Sequence, residues 1–199
     1  MKIWMTALGA AAAMLGLTAC AAGGNGGKAH HEQAASVAVS EGGTPHKVLI
    51  AYFSRSGHTK EAAEAIRDKT DGDLFEIVPE EPYPKSYQAT VDRFQAERDG
   101  NVMPPFRGGV DMASYDTVFL GYPNWGSDMA PMAKSFLARY DLSGKTVIPF
   151  STHGGGGWGR SLDTLKELAP GAAILEGFET SHISSDKERL STWLEELGF

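Results

Sequence analysis

Cysteine is all but missing: Cys20 stands alone in 199 residues. One cysteine excludes an intrachain disulfide, a Cys-x-x-Cys redox pair, an iron–sulfur site and a multi-cysteine zinc site. Any redox chemistry must then be carried by a bound cofactor. Basic charge is short as well. Eighteen Lys and Arg stand against 25 Asp and Glu, a formal charge of −7, whereas a nucleic-acid binder needs clustered cations to neutralise phosphate. Nucleic acid is not an expected partner, and cationic or neutral partners fit better. No internal repeat is visible. At roughly 100–200 residues per domain, the length allows one globular domain with short appendages. Hydrophobic residues at 42% and charged residues at 22% suffice for a packed core.

The uncharged apolar stretch at residues 3–17 follows a basic Lys2 and is short and rich in Ala and Gly, the pattern of a signal peptide rather than a membrane span. It ends in Leu17-Thr18-Ala19-Cys20, which resembles a bacterial lipobox: a branched apolar residue, two small residues, then the cysteine that receives lipid. The resemblance implies residues 1–19 as signal, Cys20 as the lipidation site and a lipid-anchored protein on the extracytoplasmic face of the cell membrane, periplasmic or cell-surface. Residues 20–45 are rich in Ala, Gly, Ser and His and cannot bury enough surface to order themselves, so they are expected to be a tether. A coil of this length reaches roughly 25–30 Å. His30 and His31 are read as solvated filler, and no metal site is assigned.

Residues 46–199 alternate strand and helix. Residues 47–53 form a continuous apolar run, the mark of a strand buried on both faces of a parallel sheet. Further strands are expected at 74–78, 115–121, 145–150 and 172–175 or 172–178. Helices are expected at 58–69, 86–98, 131–140, 159–168 and 184–197, with residues 101–109 a Pro/Gly-rich loop. Five strands alternating with helices give a doubly wound α/β fold with a parallel sheet. Ligands in such sheets bind beyond the carboxyl ends of the strands.

Three loops at that edge carry chemistry. After strand one, Ser54-Arg55-Ser56-Gly57-His58-Thr59 runs straight into a helix, whose first amides and neighbouring hydroxyls form a phosphate cradle. It lacks the Lys of a nucleoside-triphosphate loop, and no Gly-x-Gly-x-x-Gly follows the strand. After strand three, Pro123-Asn124-Trp125-Gly126 places a Trp where a planar ring could stack. After strand four, Thr152-His153-Gly154-Gly155-Gly156-Gly157 lets main chain approach a ligand closely.

Taken together, the Ser-x-Ser-Gly-x-Thr loop, the Asn-Trp-Gly loop and the glycine loop resemble the flavodoxin family over essentially all of residues 46–199. The resemblance implies the strand order 2-1-3-4-5 and noncovalent FMN. The phosphate would lie on residues 54–59 and the isoalloxazine between the loops at Trp125 and His153. It also implies redox proteins or quinones as partners. Two features depart from the family. The strand-four loop lacks the usual acidic residue and the Tyr that covers the flavin, leaving Trp158 either to replace that Tyr or to pack on the sheet. The segment 79–109, with its Tyr residues, resembles a subgroup found in bacterial lipoproteins and short quinone-reductase-like proteins.

Other activities lack their residues. The His153-Gly154-Gly155-Gly156 run mimics a lipase oxyanion loop, but no Gly-x-Ser-x-Gly elbow accompanies it. The end of strand one offers no paired acids for a response-regulator-like domain, and Cys20 lies outside any phosphatase loop. An electron carrier and an FMN-dependent NAD(P)H:quinone oxidoreductase both fit. The carrier is favoured because no dedicated nicotinamide-nucleotide element is visible.

Overall fold

The computed structural model describes residues 47–199. The expected signal, Cys20 and the tether lie outside the described residues. In chain order the elements are β1 (Val48–Tyr52), α1 (His58–Thr70), β2 (Asp73–Glu76), β3 (Val78–Pro79), α2 (Tyr87–Asp99) and β4 (Phe106–Arg107). A 3₁₀ turn (Met112–Ser114), β5 (Thr117–Trp125), β6 (Asp128–Met129), α3 (Pro131–Arg139) and β7 (Thr146–Thr152) follow. The last elements are α4 (Ser161–Leu168), β8 (Ala173–Ile174), β9 (Phe178–Thr180) and α5 (Ile183–Glu196).

The main sheet runs β2-β1-β5-β7-β8, all parallel, with β9 also pairing β7. Counting β8 and β9 as one interrupted edge strand, this is the expected order 2-1-3-4-5. Alternation along each strand divides the core into two layers. Leu49, Ala51, Val118, Leu120 and Val147 face α3 and α4 through Met132, Phe136 and Leu165. Val48, Ile50, Phe119 and Ile148 face α1 and α5 through Ala63, Ile66, Leu190 and Trp193. Helices on both faces and a strand on each side explain why β1 is buried at every position.

Several boundaries differ from expectation, each for a local reason. The second strand ends at Glu76, and Val78–Pro79 instead pairs antiparallel with Phe106–Arg107 inside the segment expected to be loop. Strand β5 runs four residues past Gly121 and folds back on β6, pairing Asn124 with Met129 and Trp125 with Asp128. Gly126 at φ 59° and Ser127 at φ 64° form the two-residue turn between them. Positive φ at both turn positions is what the right-handed strand twist demands of a tight hairpin.

The edge strand breaks at 175–177. Lys145 and Val147 carbonyls accept from Ala173 and Leu175 N–H groups, so alternation turns the backbone of Pro149 toward the same edge, where it has no N–H to offer. A Cβ on Gly177 would lie 2.6 Å from the Pro149 carbonyl oxygen. The chain detours there and rejoins β7 as β9.

Candidate functional site

Because β1, β5 and β7 are parallel, their carboxyl ends bring the three glycine-bearing loops to one edge. In the first loop, Gly57 N–H donates to Ser54 Oγ at 3.1 Å, closing the turn that aims the chain into α1. Gly57 is the N-cap at φ 96°, and no side chain caps the helix. The first helical bond to form is Glu61 N–H to Gly57 O at 2.9 Å, so the amides of residues 58–60 precede the ladder. Such amides carry the positive end of the helix dipole. Ser56, Gly57 and His58 are exposed, and a Cβ on Gly57 would meet nothing within 4 Å. This is open, donor-rich space of the kind that holds a phosphate.

Two side chains of this loop are already committed. Thr59 is buried, with its Oγ1 2.7 Å from Thr152 Oγ1, joining the first loop to the end of β7. Arg55 turns its guanidinium outward: Nη2 donates to Pro84 O at 3.0 Å and Lys85 O at 2.7 Å. Its side chain anchors the segment before α2.

The second and third loops are tied to each other. Asn124 Nδ2 donates to the Gly157 carbonyl, and Arg160 N–H donates to Ser127 O at 2.9 Å. A Cβ on Gly159 would sit 2.3 Å from that same Ser127 oxygen, so the approach needs glycine. Trp125 is half-buried and meets the rings of Phe53, Tyr83 and Phe94 edge-on, at centroid distances of 5.5, 5.1 and 5.8 Å. Edge-to-face contact is the favoured aromatic geometry and fixes the indole plane. Tyr83 is itself anchored, donating to Glu97 at 2.5 Å beneath Arg93, which pairs with the same carboxylate at 2.7 Å. Burial first, and the Glu97 contact second, push the Tyr83 hydroxyl well above its ordinary range, so it stays a proton donor.

In the third loop, Thr152 is buried while Gly154, Gly155 and Gly156 are exposed, and a Cβ at any of residues 154–157 would meet nothing within 4 Å. His153 Nδ1 accepts from Gly155 N–H at 2.9 Å and lies 3.2 Å from Ser181 Oγ, while Nε2 contacts the Glu179 carboxylate. An Nδ1 that accepts from an amide leaves the ring proton on Nε2, directed at Glu179.

Glu179 and Ser181 were not foreseen. They follow the expected fifth strand, and nothing in their spacing reveals that β9 would return them to His153. A carboxylate thus reaches the strand-four loop from the edge strand, where it contacts His153. Trp158 takes the packing role, its ring 6.5 Å from that of Tyr122 and against Gly177. The Gly-Ser turn of the hairpin did have a signal, since a two-residue Gly-Ser link between apolar runs reads as a hairpin.

Beside Trp125, α2 and residues 124–126 enclose a cleft of about 310 Å³. The arrangement as a whole brings an uncapped helix start and exposed glycine main chain to one sheet edge.

Residues 47–197 match the family model described as flavodoxin. Among solved structures, the chain is similar to a candidate flavoprotein from Bacteroides eggerthii, with 32% identity over 77% of this chain and 98% of that one and a TM-score of 0.69. A candidate flavoprotein from Bacteroides uniformis matches at 28% identity over 75% and 98%, with a TM-score of 0.68. A flavoprotein from Lactobacillus acidophilus, solved in complex with FMN, matches at 27% identity over 73% and 99%, with a TM-score of 0.59.

Proposed function

The chain belongs to the flavodoxin family, and from that premise we propose that it is an electron-transfer flavoprotein tethered to a membrane. Its cofactor is FMN, as in the Lactobacillus relative. In this reading Ser54, Ser56, the open turn at Gly57 and the amides of His58 and Thr59 hold the terminal phosphate. Arg55 contributes main chain there while its side chain braces residues 84–85. Pro123, Asn124, Trp125 and Gly126 flank the ring on one side, and Thr152, His153 and residues 154–157 on the other. Bound FMN supplies one- and two-electron transfer at its isoalloxazine.

The observation that carries the reading is the coupling of the three loops. Thr59 to Thr152, Asn124 to Gly157 and Ser127 to Arg160 hold them together at one sheet edge, and an uncapped helix start and bare glycine main chain are left for a ligand. The test is titration of FMN into the flavin-free protein. Quenching of flavin fluorescence with one FMN bound is expected; no quenching at excess FMN overturns the proposal.

Leu17-Thr18-Ala19-Cys20 supports lipid attachment at Cys20, with residues 21–45 as the tether and an extracytoplasmic location. Partners in that location are redox proteins or quinones. A second reading, an FMN-dependent NAD(P)H:quinone oxidoreductase, is favoured by the cleft beside Trp125. Steady-state NAD(P)H oxidation separates the two, since a carrier shows none without a reductase.

A further inference from the structure

The cleft beside Trp125 differs in charge from the rest of the chain. The protein carries a formal charge of −7, yet the charged residues lining this cleft are Arg55 and Arg98, with no carboxylate among them. Aromatic and apolar surface from Tyr87, Val91, Phe94 and Trp125 completes the walls. Tyr87 is 77% exposed at the first position of α2, an aromatic ring that nothing in the fold requires. Arg98 lies 5.5 Å from the Phe94 ring centroid, and its Nη1 would be 3.6 Å from a Cβ on Gly126, so it spans from the helix to the hairpin turn. Its pairing with Asp99 at 2.8 Å is exposed and weak. Arg55 contributes its positive charge to the wall while its Nη2 stays bonded to the carbonyls of Pro84 and Lys85. A volume of about 310 Å³ is at the small end of ligand sites.

We propose that this cleft binds a small anionic quinone, a planar molecule of two or three fused rings bearing an acidic group, as the electron acceptor. The inference rests on the flavoprotein reading above, since Trp125 and its neighbours Asn124 and Gly126 belong both to the cleft and to the loop assigned to the flavin ring. In the reaction the quinone gains two electrons and two protons and leaves as the hydroquinone. The reduced cofactor that supplied the electrons is thereby reoxidised, and the protons come from it and from water. The aromatic walls select flatness and the arginines select the negative group.

The test uses the full-length, FMN-loaded protein and anthraquinone-2-sulfonate as probe, with binding measured by calorimetry at low salt. Saturable binding is expected, weakened about fivefold by Arg98→Gln, which removes a charge contact. Gln95→Glu, which places a carboxylate in the lining, should weaken it similarly. The uncharged 2-(hydroxymethyl)anthraquinone should bind more weakly than the sulfonate. Both variants should retain full FMN content. No binding, or equal affinity in wild type and both variants, overturns the proposal. Displacement of FMN by the probe also overturns it, because the cleft would then be part of the cofactor site. Failure of wild-type protein to take up FMN is a separate result that overturns the flavoprotein reading itself.

Discussion

Trp125 serves two tasks that one substitution can separate. Its edge contacts with Phe53, Tyr83 and Phe94 are present without a ligand, so Trp125→Ala should cost stability as well as cofactor affinity. Loss of a stacking face should weaken FMN binding by about 1–3 kcal/mol, with less quenching of flavin fluorescence. A stability loss in urea with unchanged FMN affinity would assign the indole to packing alone. The glycines give the converse case. A Cβ on Gly121 would lie 2.1 Å from Phe150 Cζ, a requirement of the core. At Gly154 and Gly156 the added atom meets nothing, and neither residue has the left-handed φ of Gly155 or Gly157. The double substitution Gly154→Ala/Gly156→Ala should therefore leave the flavin-free protein within about 0.5 kcal/mol of wild type in urea unfolding. Its FMN affinity should still fall, because the methyl groups enter the space kept for the ring. Unchanged affinity would show that the bare main chain is not used. Candidate residues of this kind are legible because residue type and loop position coincide. The outward turn of Arg55 and the arrival of Glu179 at His153 are not, since both depend on partners 26 or more positions away in the chain.

At the scale of the element, the start of α5 holds the β9 edge in place. Asp186, in the first turn of the helix, accepts from Thr180 Oγ1 at 2.5 Å and from Arg189 Nη2 at 2.9 Å, and Arg189 also donates to the Glu179 carbonyl at 2.5 Å. The Thr180 hydrogen bond first, and that from Arg189 second, hold the Asp186 carboxyl below its ordinary pKa. The unfolded chain, with an Asp pKa of about 3.9, takes up the proton first as the pH falls. The stabilisation is thus fully present above about pH 4 and is lost as the pH drops through the lower, folded value. Asp186→Ala should lower the thermal midpoint at pH 6 and 7, and its difference from wild type should shrink at pH 3. A difference that stays constant from pH 7 to 3 would mean that the carboxylate charge contributes nothing. Helices and central strands are readable from periodicity because their apolar positions repeat within a few residues. The interrupted edge is harder to read. Pro149 sits between Ile148 and Phe150 in a central strand, and its effect appears one strand away, at Gly177. The β3–β4 ribbon joins residues 78 and 107 across a whole helix, and two-residue strands carry no period to detect.

For the whole molecule, the parallel order of the sheet was legible because alternating strands and helices leave few right-handed arrangements, and that order alone brings the three loops to one edge. The attachment to a membrane is a different kind of inference, resting on sequence outside the described residues. Apolar residues 3–17 followed by Leu17-Thr18-Ala19-Cys20 place the only thiol of the chain where processing would leave it at a new N-terminus. A single acyl chain gives reversible binding, whereas several on one residue anchor stably. Under the proposed anchoring, a coil of roughly 25–30 Å would be long enough for the flavin edge to reach acceptors at the bilayer surface. Cys20→Ser should therefore abolish labelling by radioactive fatty acid and move the protein from the washed membrane fraction to the soluble one, with its FMN content unchanged. If the variant stays in the membrane after a high-salt wash, the apolar stretch itself is the anchor and lipid is not. If wild type takes up no fatty acid and is soluble, the tethered reading fails, while the electron-transfer reading, which depends only on the loops of the folded domain, stands.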